Sequence, residues 1–220
     1  MLEPAALLFD MDGLMVDSEP LWFEVERDFA RARGGDWTVE AAQGGAGGGL
    51  ARALARIGKH LGQAIEIDVG VAELVERFIV RLPELRLKPG LPELVAAARG
   101  VVPIALASSN VRRLVDAVLA RFELSDTFDA TVAGDEVPQP KPAPDVFLEA
   151  ARRLGVEAGR CVVLEDALAG VAAARAAGMA VIAVPEHWPH TGYDGVATVV
   201  VRDLFEARRH LQLGADRLGE

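Results

Sequence analysis

The chain has 220 residues, of which 51% are hydrophobic and 25% charged, with a formal net charge of −10 and a single cysteine. That composition is one of a globular chain of one domain, or one domain with an insert, and it excludes an internal disulfide. The acidic balance argues against non-specific nucleic-acid binding, which needs a basic surface, and no stretch is apolar for long enough to span a bilayer.

In chain order, an apolar run over Ala5–Phe9 reads as a first strand and stops at Asp10. Glu3 and Pro4 before it are not the basic start of a signal peptide, so a cytoplasmic location is expected. From about Ser18 to Arg86 the pattern turns helical, over Leu21–Arg33, Leu50–Leu61 and Ala72–Leu82, with one weak strand candidate at Ala64–Val69. Proline-bearing borders, Asp17-Ser18-Glu19-Pro20 and Lys88-Pro89-Gly90, set this insert off from the rest. The expected organisation is therefore a core domain of residues 1–17 and 87–220 and a helical cap of residues 18–86. After it, strands at Val101–Ala107, Asp129–Ala133, Arg160–Leu164, Met179–Val184 and Ala197–Val201 alternate with helices at Leu91–Arg99, Val111–Phe122, Pro144–Leu154 and Ala167–Ala177. Strands apolar almost throughout, alternating with helices, predict an α/β fold with a doubly wound parallel sheet. Cys161 sits in the apolar run Cys161-Val162-Val163-Leu164 of one of those strands and reads as a core residue.

Four segments carry candidate chemistry. Asp10-Met11-Asp12-Gly13 follows the first strand, and in open parallel sheets ligands sit beyond the carboxyl ends of the strands. The same residues also suit a plain turn. Ser108-Ser109-Asn110 joins a strand end to a helix start, where free amides favour phosphate; alternatively Ser109 or Asn110 merely caps the helix. Lys141 is confined between Pro140 and Pro142. Glu165 and Asp166 end another strand, and adjacent carboxylates repel unless a cation lies between them; hard divalent cations take oxygen ligands of this kind.

Taken together and in order, FDMDGLMVDSEPLW, ALASSN, PKPAPDVFLEAARRLG and VVLEDALAGVAAARAAGM resemble the haloacid dehalogenase-like superfamily. The branch most similar contains sugar-phosphate phosphatases and β-phosphoglucomutase, and the resemblance covers the whole chain, cap included. It implies a Rossmann-like sheet of order 5-4-1-2-3 and a phosphatase acting on small phosphorylated metabolites, sugar or polyol phosphates. It also implies that Asp10 is the nucleophile, forming an aspartyl-phosphate, and that Asp12 is the general acid and base. By the same resemblance Ser108, Ser109 and Lys141 bind phosphate. Asp10, Asp12 through its carbonyl, Glu165 and Asp166 hold Mg²⁺, with Glu165 either direct or through water. Dehalogenating members lack the second aspartate, so Asp12 favours phosphoryl chemistry.

Two alternatives stay open within that branch, a phosphosugar mutase of the β-phosphoglucomutase type and a phosphoglycolate phosphatase. A mutase needs a cap cation for the far phosphate. Register from Asp10 puts Trp22 where the mutase has a histidine, and the glycine-rich 43–49 loop where it has an arginine, with Arg52 nearby but out of register. That loop is expected to be a flexible cap segment or a plain linker, and it lacks the ending of a Walker-type nucleotide loop. His187 and His190 are expected to lie in an ordinary loop. A phospho-receiver or a silent family member would also carry strand-end aspartates, but neither needs all four motifs. No membrane or nucleic-acid partner is expected, and a monomer is.

Overall fold

In the computed structural model, which describes residues 1–42 and 49–213, the apolar runs become one sheet. Its strands are β1 (Ala6–Phe9), β2 (Ile104–Ala107), β3 (Ala130–Val132), β4 (Cys161–Glu165), β5 (Ala180–Ala183) and β6 (Val199–Val200). All neighbours pair in parallel, in the order β3-β2-β1-β4-β5-β6. Read from the other edge, this contains the expected 5-4-1-2-3 and adds β6 beyond β5, where Val199 pairs with Ile182.

The helices are α1 (Glu19–Arg31), α2 (Val39–Ala42), α3 (Leu50–Leu61), α4 (Ile67–Val80), α5 (Leu91–Ala98), α6 (Arg112–Arg121), α7 (Asp145–Leu154), α8 (Leu168–Ala176) and α9 (Leu204–Arg209). The two faces of each strand feed two separate cores. Leu7 and Phe9 of β1 join Leu106, Leu164 and helices α5, α6 and α9, while Ala6 and Leu8 join Val163 and helices α7 and α8. Alternation along a pleated strand requires this division, and burial on both faces explains why the strand sequences are apolar throughout.

Helices α1 to α4 lie within residues 18–86, where the sequence predicts a helical insert, and α5 follows them before β2. Their buried side chains, including Leu21, Val25, Leu54, Ile57, Leu74 and Phe78, continue the first of the two cores. The strand candidate at Ala64–Val69 does not form; Ile67 begins α4 instead. Burial of Gly70, Leu74, Val75 and Phe78 at helical spacing outweighs the local β-branched content. The two connections between insert and sheet run side by side. Val16 bridges Leu87, Asp17 N–H donates to the Arg86 carbonyl at 2.9 Å, and Lys88 N–H to that of Met15 at 2.8 Å. Most of the glycine-rich 43–49 loop lies outside the described residues. No described helix is long and apolar enough to cross a membrane.

Candidate active site

Strand register assembles the site. Phe9 lies beside Leu164 on one side and Leu106 on the other, so the next residues, Asp10, Glu165 and the Ala107–Ser108 corner, meet at one edge of the sheet. Asp10 N–H donates to the Leu164 carbonyl at 3.1 Å, and Ser108 N–H to that of Val132 at 3.0 Å, extending the ladders by one residue. Among the described residues, the buried polar and charged ones are Asp10, Ser18, Ser108, Asn110, Lys141, Glu165 and Asp166. All seven line one cavity of about 690 Å³. Buried charge is costly, so its concentration in one place marks function rather than folding.

Lys141 is 2% exposed, and its ammonium donates to Asp10 Oδ1 and, at 2.7 Å, to Glu165 Oε1. The ring of Phe147 lies 4.6 Å beneath it. Glu165 spends its other oxygen on the Ala167 N–H at 2.8 Å, whereas Asp166 Oδ1 is buried with no partner. Two glycines shape the space around these carboxylates. A Cβ on Gly13, at φ +79°, would lie 2.0 Å from Asp166 Oδ2, and one on Gly170 would lie 1.6 Å from Glu165 Oε1.

Electrostatically the site is short of positive charge. Burial pushes the Asp10 carboxyl up to about 7 although Lys141 pulls it down. Asp166 is pushed well above the usual carboxylate range by burial and then by the charges of Glu165 and Asp10. Burial opposes the ammonium of Lys141, but Asp10 and Glu165 overcome it and keep the group charged. One ammonium faces three carboxylates whose oxygens lie within 4.8 Å of one another. Hard oxygen donors, an unpartnered carboxylate oxygen and a pocket kept open by Gly13 and Gly170 fit a hard divalent cation.

Asp12 stands apart from that cluster. Trp22 Nε1 donates to its Oδ1 at 2.9 Å and Asn110 Nδ2 to its Oδ2 at 2.6 Å. Burial raises its pKa, and the donors around it partly offset that rise. The carboxyl is thus fixed in place and pushed towards the protonation range of a group that both gives and takes a proton. Asn110 does not cap α6, and neither does Ser109. The N–H of Arg112, first residue of α6, donates instead to Asp135 Oδ1 at 2.8 Å. Ser108 Oγ accepts the Asn110 N–H at 3.1 Å, and Ser109 Oγ is buried without a partner on the cavity wall.

Every site residue expected from sequence therefore lines this cavity. Sequence reasoning missed the grip of Trp22 and Asn110 on Asp12. Asn110 belongs to the Ser108-Ser109-Asn110 motif, and Trp22 shows in the sequence only as a departure from the mutase pattern. A basic side chain of α3 also reaches the cavity, outside the 43–49 register. Arg52 is exposed, but Arg56, one helical turn further along α3, lines the cavity. Its guanidinium donates to the carbonyls of Ala41 and Ala42, and its charge acts on Glu26, which accepts the Trp37 indole N–H at 2.8 Å. His187 sits at the cavity edge, but the histidines do not join the carboxylate cluster among the described residues.

The haloacid dehalogenase-like hydrolase family model matches residues 4–178. Hexitol phosphatase B of Escherichia coli K12 is 36% identical over 199 residues, covering 82% of this chain and 83% of that protein. The fructose-1-phosphate phosphatase YqaB of the same organism is 37% identical over 177 residues, covering 80% of this chain and 93% of its own. Among solved structures, CbbY of Rhodobacter sphaeroides in complex with phosphate superposes with a TM-score of 0.82 at 30% identity, over 92% of this chain and 96% of that one.

Proposed function

The chain belongs to the haloacid dehalogenase-like hydrolases, and from that premise we propose that it is a magnesium-dependent phosphatase of small sugar or polyol phosphates. The observation that carries this reading is the buried set Asp10, Glu165 and Asp166 facing the single ammonium of Lys141 on the floor of the cavity. The site lacks positive charge, and a phosphate monoester with its cation would restore the balance. The similarity to a hexitol phosphatase and a fructose-1-phosphate phosphatase supports the substrate class. The cavity volume lies in the range of small-molecule sites.

In this reading Asp10 attacks phosphorus and the alcohol leaves, giving an aspartyl-phosphate that water then hydrolyses. Two easier displacements replace one hard one. Asp12 gives its proton to the leaving oxygen and takes one from the incoming water, held for both by Trp22 and Asn110. Lys141, Ser108 and Ser109 receive the phosphoryl oxygens, and Lys141 also keeps the Asp10 carboxylate from turning away. Asp10, Asp166, Glu165 and the Asp12 carbonyl would hold Mg²⁺, which supplies the missing positive charge and polarises the phosphoryl group. With both oxygens of Glu165 engaged by Lys141 and Ala167, Asp166 Oδ1 is the more available direct ligand. We assign residues 18–86 to a cap over the site and residues 1–17 and 87–220 to the core, and take the protein to act as a monomer.

A phosphosugar mutase is the second reading, favoured by the presence of Arg56 on the cap wall. Against it, Arg56 is engaged by backbone carbonyls and stands beside Glu26, which would repel a second phosphate. The test is phosphate release from hexitol phosphates and fructose 1-phosphate with Mg²⁺. Loss of release in EDTA supports the reading, and full activity in chelator overturns it.

A further inference from the structure

Between β5 and β6 the chain folds over the carboxyl edge of the sheet, and its only tyrosine, Tyr193, reaches the loop that follows β4. The Tyr193 phenol donates a 2.5 Å hydrogen bond to the backbone carbonyl of Asp166. At the other end of the same peptide unit, the Ala167 N–H donates to Glu165 Oε2 at 2.8 Å. The Asp166–Ala167 peptide plane is therefore pinned at both ends by side chains.

That matters because the Asp166 carboxylate has little else to place it. Its Oδ1 is buried without a partner, and the Gly13 backbone packs against its Oδ2. The direction in which the side chain leaves the backbone then depends on how the backbone is held. Tyr193 is itself anchored. Its carbonyl accepts the N–H groups of Val196 and Ala197 at 3.2 and 3.0 Å, and its ring meets that of His190 edge-on at 5.7 Å. Tyr193 does not line the cavity.

We propose that Tyr193 is a positioning residue of the cation site: its hydroxyl holds the Asp166–Ala167 peptide so that Asp166 presents a fixed carboxylate oxygen to the metal. The inference rests on the reading of Asp10, Glu165 and Asp166 as that site. Metal-site residues held by outer partners typically lose about 10–100-fold in affinity when the partner is removed.

Tyr193→Phe keeps the ring and deletes the hydroxyl. Mn²⁺ binding, followed by the electron paramagnetic resonance signal of the free ion, reads the site without catalysis; the Mg²⁺ dependence of phosphate release is read beside it. The variant should bind Mn²⁺ about 10–100-fold more weakly than the wild type, and excess Mg²⁺ should restore its turnover. Asp166→Asn, with the phenol intact, should lose binding more completely. Mn²⁺ affinity within about twofold of the wild type would overturn the proposal. So would a turnover defect that excess Mg²⁺ does not repair, or a variant that no longer folds in chelator, which would assign the phenol to stability alone. A wild type that binds no Mn²⁺ would refute the metal site itself, and this inference with it.

Discussion

Replacing Gly170 by alanine should destabilise this protein, although glycine-to-alanine within a helix ordinarily stabilises by about 0.5–1 kcal/mol. Gly170 lies in α8, buried against Glu165. A methyl group there would sit 1.6 Å from Glu165 Oε1 and 2.0 Å from its carboxyl carbon. Glu165 must therefore move, which breaks its contacts with Lys141 at 2.7 Å and with the Ala167 N–H at 2.8 Å. Overpacking of a buried site costs about 1–3 kcal/mol. A hydrogen bond to a charged group contributes about 1.5–3 kcal/mol. Set against the helix gain and counting one such bond, the net loss is about 1.5–5.5 kcal/mol. At about 2–4 °C per kcal/mol for a chain of this size, that lowers the melting temperature by roughly 3–20 °C. Urea unfolding in EDTA measures the loss without bound metal, and phosphate release in Mg²⁺ should fall along with it. A Gly170→Ala protein as stable and as active as the wild type would show that Glu165 is not fixed where the site needs it.

Asp10→Asn should fold normally and turn over at less than a tenth of the wild-type kcat, a margin of about 1.4 kcal/mol; retention of more than that in steady-state assays would rule out the covalent route. In EDTA, stability should fall as pH rises between about 5 and 8, because Asp10, lifted by burial to about 7, and Asp12 and Asp166, also raised, hold protons more tightly folded than unfolded. Stability gained through protonation is lost as pH passes the folded pKa, and Mg²⁺ should flatten the trend; a flat or rising melting temperature in chelator would contradict this. Cys161 is buried and its thiol is pushed up to about 11, so a thiol reagent at about pH 8 should label it only on unfolding; prompt labelling of the folded protein would refute its place in the core.

Strands and helices of the core were legible because each strand is covered on both faces, which writes burial into the sequence as an apolar run. Asp10, Glu165 and Asp166 were legible because they interrupt those runs at strand ends. What stayed hidden depends on contacts distant in sequence. Asn110 and Trp22 meet at Asp12 only after β1, β2 and α1 are assembled, and the local pattern around Asn110 is equally that of a helix cap. Arg56 gives no local signal, because its place on the cavity wall depends on how α3 packs. At Ala64–Val69, tertiary burial of one face of α4 overrode a β-branched local composition. Tyr193 carries no sequence signal, since its role is one hydrogen bond to a backbone carbonyl.

In the proposed mechanism water, and not a second sugar oxygen, takes the phosphoryl group from Asp10. Phosphorus NMR of the wild-type enzyme with Mg²⁺ and a hexose 1-phosphate, with a bisphosphate primer present, follows both outcomes in one time course. Accumulating inorganic phosphate, with no hexose 6-phosphate and no turnover in Asp10→Asn, is the expected result; steady conversion of the 1-phosphate to the 6-phosphate with little free phosphate would contradict it.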